Sequence, residues 1–186
     1  LVALIISSDI KNMHQEGSSQ PTFSTLAGKH LTFVLGHECY GIPVLKVREI
    51  IRICDITPVP QMPPYIRGVL NLRGKIIPVA DLRIKFRLAN IQQTKHTCIV
   101  VVQVVLADHS STPIGLIVDA VEEVLWISES DIEPAPDFGT ILSTDYILGM
   151  AKVKGSVKTL LDIDKVVSAV HAETSIVNAS FGSRHG

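Results

Sequence analysis

Apolar residues in this chain fall into short runs broken by glycine, proline and polar clusters, a pattern that predicts strands and turns rather than long helices. Leu31 to Leu35 reads as a strand, Gly36-His37-Glu38 as a turn and Cys39 to Ile42 as the returning strand. Pro43 opens a short helical turn in which Val44, Val47 and Ile50 recur at helical spacing, and Ile51 to Cys54 reads as a further strand. Pro58, Pro60, Pro63 and Pro64 exclude a long helix before Tyr65. Ile66 to Leu72 alternates, Arg73-Gly74 supplies a turn, Lys75 to Val79 returns, and Asp81 is placed to cap a short helix running to Phe86. After a connector at Leu88 to Lys95 come strand-like runs at Thr97 to Ala107, Ile114 to Val118, Val121 to Ile127, Ile147 to Lys154 and Val157 to Leu161, then a short helix at Asp164 to Val170. Residues 7–29 and the tail from Ala172 carry no such core pattern, and no internal repeat shows as repeated words.

The chain has 186 residues, enough for one domain with a substantial core or for two small lobes sharing one. Its 46% hydrophobic content is rich in Val and Ile, which favours β structure. Seventeen basic and eighteen acidic residues leave a net charge of -1, so composition gives no case for nucleic acid. The apolar start at Leu1 to Ile6 is too short to cross a bilayer and has no basic lead, so neither membrane insertion nor a secretory signal is expected, and a cytoplasmic location is.

Residues that commonly carry chemistry are scattered. Cys39, Cys54 and Cys98 form no CxxC pair and read as buried free thiols, while seven dispersed histidines make no metal-ligand spacing, so no metal or cofactor is expected. The sparse aromatic residues read mostly as packing groups. No phosphate-binding loop, nucleophile elbow or dinucleotide fingerprint occurs, and an enzyme would need distant His and Asp residues to converge. Arg67-Gly68-Val69-Leu70-Asn71-Leu72-Arg73-Gly74-Lys75 is different in kind, because it sets charged and amide groups on a hairpin between apolar strands. Arg73 offers a planar fork able to bridge carboxylates or carbonyls on a partner, or simply to form a surface salt bridge. Asn71 is placed to hold the turn, Gly68 and Gly74 to permit tight backbone paths, and Arg67 to add charge to the same surface. Val47 and Glu49 form a separate candidate patch for a protein partner, though valine is more often core and glutamate more often solvated.

This hairpin resembles the signature of the CheW-like family of bacterial chemotaxis adaptors. Tyr40-Gly41-Ile42 with Val47-Arg48-Glu49-Ile50, the run Ile114 to Val121 with Glu123-Val124, the run Ile141 to Gly149, and Leu160-Leu161-Asp162-Ile163-Asp164-Lys165 fit the same family in order, over about residues 31–170. The resemblance implies a mainly β fold of two five-stranded SH3-like barrel lobes packed on a shared hydrophobic interface. It implies a domain at 30–170 with lobes near 36–88 and 97–161 that exchange terminal elements, while the residues themselves lead us to expect a flexible lead at 1–29 and a flexible tail at 171–186. It further implies a noncatalytic adaptor, without cofactor or metal, that couples methyl-accepting chemoreceptors to a CheA-type histidine kinase at membrane-associated arrays. Arg73, with Arg67, Gly68 and Asn71, would face the receptor, and Val47 with Glu49 would meet the kinase or the receptor. The alternative carried beside it is a docking or array-structural module of the same fold in another receptor pathway. Pro43 departs from the family pattern and is expected to reshape the first short helix.

Overall fold

The computed structural model describes residues 23–88, 92–106, 109–136 and 145–167. After a one-turn helix α1 (Phe23–Leu26) come β1 (Gly28–Leu35), β2 (Glu38–Pro43) and a 3-10 turn (Val44–Lys46). Then follow β3 (Val47–Arg52), β4 (Ile66–Leu72), β5 (Lys75–Asp81), α2 (Leu82–Lys85), β6 (Cys98–Val105) and β7 (Ser111–Val118). The last described elements are β8 (Ala120–Ile127), a 3-10 turn (Glu129–Asp131), β9 (Ile132–Glu133), β10 (Ile147–Val153), β11 (Ser156–Leu161) and a helix at 163–167.

Two sheets result, ordered β8-β1-β2-β11-β10-β9 and β3-β6-β7-β5-β4. The structure is therefore mainly β with two lobes, but both sheets are open in their pairing, and the first has six strands because the two-residue β9 pairs with β10. The sheets also divide the chain differently from limits at 36–88 and 97–161. One takes β3 to β7, and the other joins β1 and β2 to β8 through β11. The reason is pairing: β6 and β7 hydrogen-bond between β3 and β5, so this hairpin stays with the strands that precede it.

Burial follows the two-sheet plan. One apolar cluster, including Leu70, Ile77, Val79, Ile99 and Val101, fills the β3–β7 lobe. A second, including Leu125, Ile127, Ile132, Ala151 and Leu160, fills the other. The largest lies between them, with Leu31, Phe33 and Ile42 from one sheet meeting Val100, Val102 and Leu116 from the other. Phe33, Tyr40, Phe86 and Tyr146 stack in sequence through this interface, with ring centroids 5.4 to 6.0 Å apart. Trp126 departs from the expected packing role at 66% exposure, and Cys54 is exposed rather than buried.

A repeat hidden in the sequence becomes plain once the hairpins are aligned. Tyr65, Ile66, Gly68, Gly74 and Asp81 have identical residues 81 positions later at Tyr146, Ile147, Gly149, Gly155 and Asp162, and Arg73 has Lys154. Both hairpins carry a register shift just before the first glycine of the pair, Gly68 or Gly149. Both turn through a cation and a glycine at positive φ, 52° and 84° at Arg73-Gly74 and 53° and 76° at Lys154-Gly155. Asp81 N–H donates to the Tyr65 carbonyl (2.7 Å) and Asp162 N–H to that of Tyr146 (2.8 Å), after which each aspartate begins a short helix. The returning strand then pairs in parallel with a hairpin from the other half of the chain, β5 with β7 and β11 with β2. Each half thus lends its first hairpin to the other's sheet.

Candidate functional site

The β4–β5 hairpin presents Arg73 at its tip. A two-residue turn with both residues at positive φ matches the twist of the flanking strands, and glycine at the second position meets the demand without strain. The Asn71 Oδ1 accepts the Gly74 N–H at 2.8 Å, which fixes the turn and gives Asn71 the architectural role its position suggested. Gly68 is architectural as well. Its φ is +134°, and a Cβ there would lie 2.0 Å from the Thr57 carbonyl oxygen, where the chain after β3 crosses β4 and makes two hydrogen bonds with Val69.

Glu49 does not stand in a separate patch. Its Oε2 accepts from the Arg73 Nη2 at 2.9 Å, so the two candidate residues form one ion pair between β3 and the hairpin tip. The Arg73 side chain is 80% exposed while that of Glu49 is 26% exposed, which leaves the guanidinium open to a partner and its orientation fixed from one side. A groove of about 500 Å³ beside the pair is lined by Arg48, Lys75, Gln103 and Pro113 among others. Arg48 Nε donates to Gln103 Oε1 at 2.9 Å, and Gln103 Nε2 donates to Ser111 Oγ at 2.7 Å. Val47 is a correction. It is 3% exposed within the inter-lobe core, because the register shift between Val47 and Glu49 turns its side chain inward. Arg67 is exposed but lines a different cavity, of about 400 Å³, with Cys54, Asp55, Asp81 and Arg83.

The ion pairs that join the lobes carry no signature in the sequence. Arg83, with only 7% of its side chain exposed, donates to both oxygens of Asp81 at 2.9 and 2.8 Å and to Asp119 Oδ1 at 3.0 Å. Asp119 lies at the β7–β8 crossing between sheets, and its Oδ2 accepts from the Gly36 N–H at 2.7 Å. Hydrogen bonds to the two aspartates raise the Arg83 pKa against the opposing effect of burial, so the guanidinium is a fixed charge. At the other crossing, Lys46 meets Asp164 Oδ2 at 2.5 Å while Asp164 Oδ1 accepts from the Val105 N–H at 2.9 Å. The local pattern Asp81-Leu82-Arg83 pointed to a cap, which is present, but not to the crossing that Arg83 secures.

A third feature is an apolar groove of about 720 Å³ at the inter-lobe boundary, lined by His37, Tyr40, Phe86, Tyr146, Met150 and Val157 among others. Among the described residues no group of three or more His, Cys, Asp or Glu could hold a metal ion, and no helix is long and apolar enough to cross a membrane. The Glu49–Arg73 pair sets an exposed guanidinium at the tip of the β4–β5 hairpin.

Comparison with known proteins places the chain in a family. The model of the CheW-like domain matches residues 29–171. The chain belongs to the CheW-like family. Chemotaxis protein CheW of Klebsiella aerogenes is 37% identical over 153 residues, covering 80% of this chain and 89% of that protein. Chemotaxis protein CheW of Helicobacter pylori is 33% identical over 136 residues, covering 73% and 78%. Among solved structures, the scaffolding protein TtCheW from Thermoanaerobacter tengcongensis superposes with a TM-score of 0.67 at 35% identity, covering 75% of this chain and 92% of that one. As a CheW-like protein the chain is a noncatalytic adaptor that links receptors to CheA in chemotaxis signalling.

Proposed function

We propose that this CheW-like adaptor meets its receptor through the hairpin end of the β3–β7 lobe, with Arg73 as the contact and Glu49 as the group that orients it. The carrying observation is the Glu49–Arg73 pair, which holds an exposed guanidinium at a defined angle beside an open groove. The receptor is of the methyl-accepting type and contributes carboxylates or helix-end carbonyls, which a guanidinium fork binds in two-point fashion. Asn71 and Gly68 shape the hairpin that carries Arg73, while Arg67 lines a different cavity and lies outside this contact. Separate surfaces bind the CheA-type kinase, so the adaptor raises the local concentration of kinase at the receptor without chemistry of its own, and recruitment to membrane-associated arrays follows from receptor binding. Each sheet is proposed to curl into an SH3-like barrel. The chain after β3 reaches the far edge of its own sheet at Thr57, and the chain after β8 does the same at β9, which supports that reading.

The test is Arg73→Ala, with receptor and kinase affinities measured separately at fixed salt and thermal unfolding as the fold control. A desolvated contact loses about 2 to 5 kcal/mol of receptor affinity, and a contact at the interface rim roughly 0.2 to 1. Unchanged receptor affinity in a folded variant would remove Arg73 from the site, and loss of kinase affinity alone would exchange the two surfaces.

A further inference from the structure

The near-neutral net charge conceals a division. The segment 44–118, which forms the β3–β7 lobe, carries ten Lys and Arg against four Asp and Glu, a net +6. Segments 28–43 and 119–167, which form the other lobe, carry five against eleven, a net -6. Part of the basic surplus gathers in the groove beside Arg73, whose described lining holds Arg48, Arg73 and Lys75 against the single carboxylate of Glu49.

Arg48 is held there without being neutralised. Its Nε donates to Gln103 Oε1 at 2.9 Å, and Gln103 Nε2 donates in turn to Ser111 Oγ at 2.7 Å, a relay that runs from β3 across β6 to β7. An amide oxygen orients a guanidinium and leaves its charge whole, whereas a carboxylate in the same place cancels it. Glu49 does the second for Arg73, at 2.9 Å. The two arginines of one groove are thus fixed by different means, and the surplus of positive charge lies with Arg48 and Lys75.

The fold does not ask for these cations. Along β8, the counterpart of β3, Val121, Glu122 and Glu123 stand where Val47, Arg48 and Glu49 stand, and Ser156 stands 81 positions after Lys75. A register shift accompanies both strands and both hairpins, so the same backbone forms with a glutamate and a serine at those places. Charges that the backbone does not need, one of them oriented by its own relay, serve a contact outside the molecule.

We propose that Arg48 is a second specificity-determining contact in the Arg73 groove, with Gln103 as its positioning residue, and that together with Lys75 it selects a receptor helix presenting two carboxylates on one face. This role rests on the assignment of Arg73 to the receptor. Two uncancelled cations match two anionic groups, and on a helix residues three or four apart lie side by side, with roughly 5 to 6 Å between their Cβ atoms. The apolar part of the lining, Leu72, Ile77, Val101 and Pro113, takes the stems of those side chains. Rim charge steers the encounter, while an oriented guanidinium holds the complex once it has formed.

Association and dissociation rates are measured for the full chain against the cytoplasmic part of the receptor used for Arg73→Ala, in low and high salt, with thermal unfolding as the control. Arg48→Ala is expected to weaken binding about tenfold and to make it less sensitive to salt. Arg48→Lys keeps the charge without the planar fork, so association stays as fast as in the wild type and dissociation quickens. Gln103→Leu removes the orientation and leaves the charge, with the same signature, and adds nothing in the Arg48→Ala background. Gln103→Glu keeps the orientation and cancels the charge, so association slows and the salt dependence flattens as in Arg48→Ala. A folded Arg48→Ala of unchanged affinity beside a weakened Arg73→Ala overturns the role of Arg48 and leaves the Arg73 assignment standing, whereas unchanged affinity in Arg73→Ala removes both. Losses that add between Gln103→Leu and Arg48→Ala overturn the positioning role. If Arg48→Ala does not fold, Arg48→Lys and Gln103→Glu keep the bulk at each position and decide in its place, and wild-type rates in both overturn the proposal.

Discussion

The two halves of this molecule share a backbone and differ in what they put on it. The Arg73 and Lys154 hairpins turn at nearly the same φ angles, close on equivalent tyrosine carbonyls, Tyr65 and Tyr146, and start a helix from equivalent aspartates, Asp81 and Asp162, yet the first lobe is basic in sequence and the second acidic. Backbone demands were held fixed while surface charge diverged, which separates residues that serve the fold from residues that select a partner. The glycines test that separation most severely. A Cβ at Gly68 meets the Thr57 carbonyl at 2.0 Å with φ at +134°, whereas at Gly149 the nearest atom is the Glu133 carbonyl at 2.9 Å and φ is ordinary. Left-handed strain and overpacking act together in Gly68→Ala, with an expected loss of about 4 kcal/mol, against roughly 1 to 3 for Gly149→Ala. Urea unfolding of both variants measures the difference, and equal midpoints would mean that the Thr57 crossing is not as tight as described.

The clamps at the two crossings differ in depth rather than design. Arg83 is 7% exposed between two carboxylates, while Lys46 and Asp164 have side chains 30% and 28% exposed. Arg83→Met leaves Asp81 and Asp119 facing each other without their cation and is expected to cost about 3 kcal/mol, the lower end of the range for breaking a buried pair. Lys46→Met removes a pair that water still reaches and is expected to cost about 1 kcal/mol or less. Chemical denaturation of the two variants side by side reads this, and a Lys46 effect as large as that of Arg83 would contradict the burial argument.

Much of this was legible in the sequence where local rules act alone. The β4–β5 hairpin, its Arg73-Gly74 turn and the Asp81 cap follow from alternation, turn chemistry and capping, which need only a few neighbouring residues. Family motifs supplied two lobes with a shared core. The partner of Arg73 was not legible, because Glu49 reaches it from a strand 24 residues earlier and a one-residue register shift decides which neighbour points outward. Val47 was misplaced for the same reason. The repeat is hidden in the sequence because it keeps backbone-critical positions at a long interval while the residues between them change. Sheet membership of β6 and β7 depends on long-range pairing that no local pattern encodes.

The lobe interiors offer a comparison that titration can sharpen. Val79 pairs with Gly115 as Leu160 pairs with Gly41, and in these equivalent settings a Cβ on Gly115 would meet Ile99 at 2.8 Å while one on Gly41 would meet Leu160 at 3.0 Å with His30 beyond it at 3.9 Å. One lobe thus buries an isoleucine where the other buries a histidine. His30 is 2% exposed, its Nδ1 lies 3.2 Å from the Gly28 carbonyl, and its Nε2 has no partner among the described residues. Burial lowers its pKa from 6.5, with the Gly28 hydrogen bond opposing. The unfolded chain therefore binds the proton more readily, so this group's stabilisation is complete above pH 6.5 and is lost as pH falls from there through the lowered folded value. For one proton the slope cannot exceed about 1.4 kcal/mol per pH unit. His30→Ile, which installs the residue of the other lobe, is expected to flatten the decline in melting temperature between pH 7 and pH 5. An unchanged pH profile would assign the acid sensitivity to other groups.

The smallest expected effect concerns the pairs at the two hairpin tips. Arg73 and Lys154 have side chains 80% and 65% exposed, so each ion pair with its glutamate is solvated and screened and is expected to contribute only about 0.2 to 0.5 kcal/mol to folding. Arg73→Ala and Lys154→Ala should therefore unfold within a degree or two of the wild type and of each other. That equality matters because the binding effects should not be equal: Arg73→Ala weakens the receptor contact, while Lys154→Ala leaves it in place. Double-mutant cycles with Glu49→Ala and Glu123→Ala isolate the two pair energies. A coupling above about 1 kcal/mol at Glu49–Arg73 would mean that the arginine is held for the stability of the hairpin, and its orientation toward a partner would then be a by-product of that role.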